Sequence, residues 1–192
     1  MRLSDKVYSA LKNDVFLAKY KPNVLIVEGD IAKKYGVSKV TAGEALHRLC
    51  SEGHLTSYPR SGYMVTLLTP QEMKQLNRMR IAVEVLTVEI ICQEASDEAI
   101  ESLRQLIKTD FQETDNVSEI NNGFHMALAN LTHNMYIIPQ TESLLGSASR
   151  VEQSVKYSKE RWQDYHVKLI EALKARDMPL AKAHLVADIN QR

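Results

Sequence analysis

Residues Tyr35–Leu49 read YGVSKVTAGEALHRL, and the reading of this stretch decides the fold. Gly36 suits the left-handed backbone that ends one helix. Ser38 suits the N-cap of the next, where its hydroxyl accepts an amide hydrogen of the first turn. Val40, Leu46 and Leu49 are then candidates for a buried stripe at helical spacing. Helix, tight turn, helix is the order of a helix-turn-helix.

Working outward, VEGDIAKKYG predicts the short helix that Gly36 closes. Before it, Leu3, Val7, Leu11 and Phe16/Leu17 recur near helical spacing and predict a helix over 3–18. KYKPNVL separates the two: Pro22 fixes a turn and Asn23 tolerates a left-handed backbone. On the other side Gly53 closes the third helix. HLTSY and YMVTL then predict two short strands around the turn PRSG, with Gly62 supplying an unusual φ. Three helices and a two-stranded ribbon make a winged helix-turn-helix.

That arrangement has a physical use. A helix fits the major groove of B-DNA, and the ribbon tip reaches phosphates or the adjacent minor groove. The candidate contacts are Lys33, Lys34, Lys39, Arg48 and Arg60 toward phosphate, and the hydroxyls of Ser38 and Thr41 toward phosphate or base edges. Gly62 shapes the wing. Charge agrees: residues 1–66 hold ten Lys/Arg and six Asp/Glu, whereas 67–192 hold fourteen and eighteen. A basic first third beside an acidic remainder implies two jobs.

Thr69-Pro70-Gln71-Glu72 is a capping box with proline at the first helical position. The domain boundary is therefore placed here, with 1–68 as the winged domain and 69–192 as a second domain. No strand signal follows. Helices are predicted over 70–94, 97–114, 117–132, 135–156, 159–176 and 178–190, punctuated by Ser96-Asp97-Glu98, Asn116 to Ser118, Asn134, Ser158, Asp177 and Pro179. The fold class is mainly α, a winged domain followed by an all-helical bundle.

The 192 residues are 44% hydrophobic and 25% charged, which provides a core and argues against disorder. Cys50 and Cys92 read as small buried hydrophobes in a reducing compartment. The amphipathic N-terminus lacks the apolar core of a signal peptide. No apolar run approaches the roughly 20 residues that cross a bilayer. A soluble cytoplasmic protein without a membrane partner is expected.

Histidines carry the chemistry of the second half. Asn121 and His125 lie four apart and share a helix face, as do His184 and Asp188. His166 projects along the apolar side formed by Trp162, Leu169, Ile170 and Leu173. A helical bundle builds an internal metal site from an i,i+4 pair on one helix and single groups from others. Neutral imidazoles with a carboxylate suit Zn, Ni, Mn or Fe. The same residues also suit a hydrogen-bonded core or a metal-free polar pocket.

The run from Lys21 to Val65 resembles the N-terminal domain of the GntR family of bacterial transcription regulators. Pro22, Leu25, Glu28, Ile31, Ala32, Gly36, Val37, Ser38, Glu44, Ala45, Leu46, Leu49, Glu52, Gly53, Leu55 and Gly62 stand where that family has the same or similar residues. The resemblance implies a double-stranded DNA operator as partner. It also exposes departures. The family's arginines fall on Gly29, Lys39 and Gly43. Lysine lacks the bidentate fork and glycine has no side chain, so the family's guanine reading does not carry over. Gly43 leaves room for close approach of the backbone.

RIAVE (Arg80–Glu84), NNGFHMALANLTHN (Asn121–Asn134) and DYHVKLIEALKARD (Asp164–Asp177) resemble the FCD ligand-binding domain of the FadR-like subgroup. The resemblance implies a homodimer, a small organic acid as effector, and a divalent metal held by one aspartate and three histidines. Those positions fall here on Asn121, His125, His166 and Asp188, with His184 one turn earlier as the alternative. Arg80 and Arg150 are the candidate anion partners. The expected function is an effector-modulated, DNA-binding transcription regulator. Two alternatives stand beside it: a sensor or interaction module that kept the winged fold but lost DNA binding, and a small helical metalloenzyme. Against the enzyme, no HExxH, nucleophile elbow or phosphate loop is present.

Overall fold

The computed structural model describes residues 2–17, 19–21, 23–107, 117–150 and 159–190. Its contacts divide the chain into two compact units, Met1–Thr69 with Gly146–Gln153, and Pro70–Leu145 with Ser154–Arg192.

The first unit contains α1 (Leu3–Phe16), α2 (Glu28–Tyr35), α3 (Lys39–Ser51), β1 (Leu55–Tyr58) and β2 (Gly62–Val65). Gly36 ends α2 at φ 64° and Asn23 sits at φ 61°, so both expected left-handed positions occur. The Ser38 hydroxyl accepts from the Thr41 amide at 3.1 Å and caps α3. The strands pair antiparallel with Leu55 opposite Val65 and Tyr58 opposite Gly62. Gly62 has φ 136°, and a Cβ there would lie 2.6 Å from the Ile26 carbonyl oxygen. The wing therefore crosses the chain at a point only glycine permits.

The core of this unit joins Val7, Leu11 and Val15 of α1, Ile31 of α2, and Ala42, Ala45, Leu46 and Leu49 of α3, with Leu55, Tyr63 and Val65 from the wing. One expectation fails here. Val40 is 72% exposed, because the stripe that faces α1 runs 42, 45, 46, 49 and position 40 is out of phase with it. Asp14 joins α1 to α2: its carboxylate accepts from Lys34 Nζ at 2.7 Å, Tyr35 hydroxyl at 2.7 Å and Lys19 Nζ at 3.0 Å.

The second unit contains α4 (Pro70–Glu94), α5 (Asp97–Ser102) with a 3-10 turn at Leu103–Leu106, α6 (Val117–Leu131), most of α7 (Ile137–Ala148), α8 (Lys159–Lys174) and α9 (Met178–Ile189). α4 begins at Pro70, α5 is capped by Ser96, and Asp177 caps α9 through the Leu180 amide at 3.0 Å. Within the described part of the predicted helix over 97–114, α5 tightens into the 3-10 turn. Val88, Ile91, Ile100, Leu103, Phe124, Leu128, Leu169, Ile170, Leu173, Leu185 and Ile189 form its core. The expected features at Pro22, 108–116 and 151–158, and the side chain of Trp162, lie outside the described residues. The last turn of α7 groups with the first unit, which the boundary at residue 69 does not anticipate. Among the described residues no helix is long and apolar enough to cross a membrane.

Candidate functional site

In the first unit, the groups named as DNA contacts separate into two sets. Lys33, Ser38, Lys39 and Arg60 are exposed. Arg60 occupies the turn of the wing with φ 64°. Lys34 and Arg48 are exposed too but engaged with the unit's own body. Lys34 donates to Asp14 and, at 3.1 Å, to the Tyr20 hydroxyl. The Arg48 guanidinium lies 3.7 Å from the centre of the Tyr8 ring and pairs with Glu52 at 3.4 Å and Asp5 at 3.6 Å. Thr41 is half-buried, and its hydroxyl shares a 3.0 Å hydrogen bond with that of Ser38.

The space beside Gly43 is filled from within the unit. A Cβ on Gly43 would meet Glu28 Oε1 at 3.2 Å, and Tyr63 donates its hydroxyl to that oxygen at 3.1 Å. Burial and this hydrogen bond push the Tyr63 phenol up to about 12, so it remains a donor. Glu28 was read in the sequence only as a position of the resemblance. Its contact with Gly43 depends on how α2 crosses α3, which local sequence does not specify.

In the second unit, four helices bring a polar cluster into the interior. α4 turns Asn77, Arg80 and Glu84 inward at helical spacing, α6 contributes His125, α8 His166 and α9 Asp188. His125 Nδ1 lies 2.6 Å from Glu84 Oε2. Its Nε2 lies 3.0 Å from Asp188 Oδ2 but makes no well-directed hydrogen bond. His166 Nε2 is 3.6 Å from the same oxygen. The Phe124 ring stacks on His166, with centroids 3.8 Å apart and planes at 12°, fixing that imidazole.

Donor atoms of His125, His166 and Asp188 all lie within 4.8 Å of one another, and all three residues are buried. Asn121 is buried one turn before His125 on α6. His184 is half-buried one turn before Asp188 on α9 and does not join that set of close donors among the described residues.

Glu84 is the residue that sequence reasoning missed. Its Oε1 accepts from Arg80 Nε at 2.9 Å while Oε2 faces His125. Burial opposes its ionisation, yet the charges of His125 and Arg80 outweigh burial and hold the carboxyl down to about 2. Burial likewise opposes charge on Asp188, and the imidazoles of His125 and His166, 3.0 and 3.6 Å from its Oδ2, outweigh it to hold that carboxyl well below the usual range. Burial works against the His125 imidazolium too, but the Glu84 and Asp188 carboxylates raise its pKa. Arg80 is fully buried, and both of its Nη nitrogens lack a hydrogen-bond partner among the described residues. A guanidinium with two unused buried donors is suited to a carboxylate.

Arg150, the other candidate anion partner, belongs to the first unit. Its Nη1 donates to the carbonyl oxygens of Gly53 at 2.7 Å and Thr66 at 3.3 Å. Those two bonds tie Arg150 to the backbone of the first unit, and Arg80 is the arginine that lies beside Glu84 in the second.

Residues 3–65 match the family model for bacterial regulatory proteins of the gntR family, and residues 75–191 match that for the FCD domain. The chain is 28% identical over 192 residues to the HTH-type transcriptional regulator YdhC of Bacillus subtilis, covering 95% of this chain and 86% of that one. It is 29% identical over 147 residues to the Nta operon transcriptional regulator of Aminobacter aminovorans, covering 76% and 67%. Among solved structures, E. coli McbR/YncC superposes with a TM-score of 0.83 at 19% identity, over 100% of this chain and 95% of that one.

Proposed function

This chain belongs to the GntR family of transcription regulators with an FCD ligand-binding domain, and we propose that it is a homodimer whose operator binding responds to a small organic acid held in the polar cluster of the bundle. The observation that carries the effector reading is the fully buried Arg80, with two Nη nitrogens that find no acceptor among the described residues, beside Glu84, His125, His166 and Asp188. An unsatisfied buried cation is costly, and a bound carboxylate supplies the missing acceptors.

The cluster also fits a divalent transition metal. His125 and His166 offer imidazole nitrogens and Asp188 a carboxylate oxygen, a donor set suited to Zn, Ni, Mn or Fe. Glu84 accepts the Nδ1 hydrogen of His125, so Nε2 points at the shared donor space with its tautomer fixed. That Nε2 lies 3.0 Å from Asp188 Oδ2 and makes no well-directed hydrogen bond among the described residues, which suits both atoms to a shared cation. Asn121 is the candidate for an additional, neutral ligand. Such a metal would act as a Lewis acid toward the effector's carboxylate.

Charge balance links the two ligands. With His125 protonated, the charges of Arg80, Glu84, His125 and Asp188 cancel. With a divalent cation in place of the His125 proton, the same groups carry one positive charge in excess, which a carboxylate neutralises. Metal and acid are therefore expected to bind cooperatively, and metal uptake to release a proton. In a dimer, a shift between two arrangements of the bundle changes the spacing of two winged domains on a pseudo-palindromic operator. The relatives are named as transcription regulators, and we read the cluster as sensing its ligand, in the cytoplasm, without turning it over.

The test is a thermal-shift screen of small organic acids with and without Zn, Ni and Mn. A saturating ligand raises the midpoint by linkage, and the rise should vanish in Arg80→Met. Metal analysis should give about one ion per chain, lost in His125→Ala. A protein that stays metal-free after incubation removes the metal and leaves the regulator. Absence of duplex DNA binding even at low salt, with and without acid and metal, removes the regulator and favours a sensor module.

A further inference from the structure

The outward face of α3 displays a consistent chemistry that the expected cations do not explain. Val40, Gly43, Glu44 and His47 follow one another at i, i+3, i+4 and i+7, opposite the buried Ala42, Ala45, Leu46 and Leu49. They line a shallow open groove with Lys39 and Glu28. Val40 is 72% exposed on the first turn of the helix, beside the Ser38 cap. The Glu28 carboxylate stands where a side chain at 43 would project, pinned by Tyr63. Glu44 is exposed one turn after Val40. The groove thus carries an apolar branch, two carboxylates, one cation, and the imidazole of His47, whose Nε2 lies 3.4 Å from the Tyr63 hydroxyl.

Base edges in the major groove sort by such chemistry. Guanine offers only the acceptors N7 and O6, which two carboxylates repel. Cytosine offers an amino donor and thymine a C5-methyl group. We infer that α3 reads pyrimidine edges, with Val40 against a thymine methyl and Glu44 accepting from the N4 amino group of a cytosine one or two base steps away. Side chains four apart on a helix lie about 5–6 Å from one another, which spans one to two steps at 3.4 Å. Lys39 remains a phosphate contact. The inference rests on the DNA-binding reading and assigns its specificity.

The test uses the full chain and a pool of duplexes with a randomised core spanning two helical turns. Selection should enrich a half-site holding a thymine and a nearby cytosine. Replacing that thymine with deoxyuridine removes only the methyl, and affinity should fall about threefold to fivefold, the worth of one buried methyl. Val40→Ala should fold like the parent and bind the thymine and deoxyuridine duplexes alike. Glu44→Ala should lose the preference for the cytosine. An enriched operator in which no thymine-to-deoxyuridine change matters, or a penalty that persists in Val40→Ala, overturns the inference and leaves the regulator standing. A pool with no enrichment and no binding at low salt overturns both.

Discussion

On α3 the groups placed to meet a ligand are exposed and surround a position with no side chain. In the bundle, Arg80, Glu84, His125, His166 and Asp188 are each no more than 7% exposed and meet one another first. Water stabilises the charges on α3 whether or not a duplex is present. Inside the bundle each charge depends on its neighbours, since a buried ion without a partner is expensive. An exposed side chain on α3 such as Val40 can thus be exchanged singly at little cost to folding, whereas the cluster responds as a set.

The widest gap should appear on removing one member of each region. Glu84→Ala leaves Arg80 and His125 buried without their shared acceptor, and urea unfolding should show a loss of about 3–5 kcal/mol. Val40→Ala, measured the same way, should change stability by less than about 0.5 kcal/mol. Similar losses for the two variants would break the contrast.

A second variant asks whether burial or location sets the cost. Asp14 belongs to the winged unit but is 8% exposed. Burial opposes its charge, yet hydrogen bonds from Lys34, Tyr35 and Lys19 outweigh burial and hold it at about 2, down from the ordinary 3.8. A depressed carboxylate contributes stability above its unfolded pKa and loses it as pH falls through the folded one. The contribution of about 2 kcal/mol should be complete above about pH 4 and disappear toward pH 2. Asp14→Asn should flatten that part of the pH profile. An unchanged profile would mean that the winged unit tolerates loss of buried charge where the bundle does not.

The same two regions differ in how far the sequence discloses them. Punctuation was legible because it acts locally: Ser38, Gly36, Asn23 and the Pro70 start each take the conformation their chemistry requires. Val40 misled because a β-branched apolar residue outweighs Ala42 and Ala45 in any reading by hydrophobicity, while phase along the helix favours the alanines. His125, His166 and Asp188 stood out by type and spacing. Glu84 did not, because Arg80 and Glu84 four apart look like an ordinary surface pair. Only the packing of α6 against α4, 41 residues away in sequence, makes it the partner of His125. The same holds for Glu28 beside Gly43, and for Arg150, whose place with the first unit no local pattern announces.

A third variant tests the local part of that account. Ser38→Ala removes the acceptor for the Thr41 amide and should cost about 1 kcal/mol, measured by thermal or urea unfolding. Ser38→Gly should cost only a few tenths. A full loss in the glycine variant as well would mean the hydroxyl matters through its contact with Thr41 Oγ1 and not through the cap.

The smallest effect on folding belongs to Lys39, and it separates reading from scaffold most cleanly. Its side chain is exposed on the first turn of α3, so Lys39→Ala should leave unfolding within about 0.5 kcal/mol of the parent. Operator binding should weaken at low salt and converge toward the parent as salt rises. Each phosphate contact releases condensed counterions, and losing one lowers the magnitude of the log-affinity against log-salt slope by about 0.9. Base preferences should stay as they are, since a phosphate contact carries no sequence information. A change in preference with an unchanged slope would place Lys39 on a base edge, and would move the exposed face of α3 from Val40 and Glu44 back toward a cation.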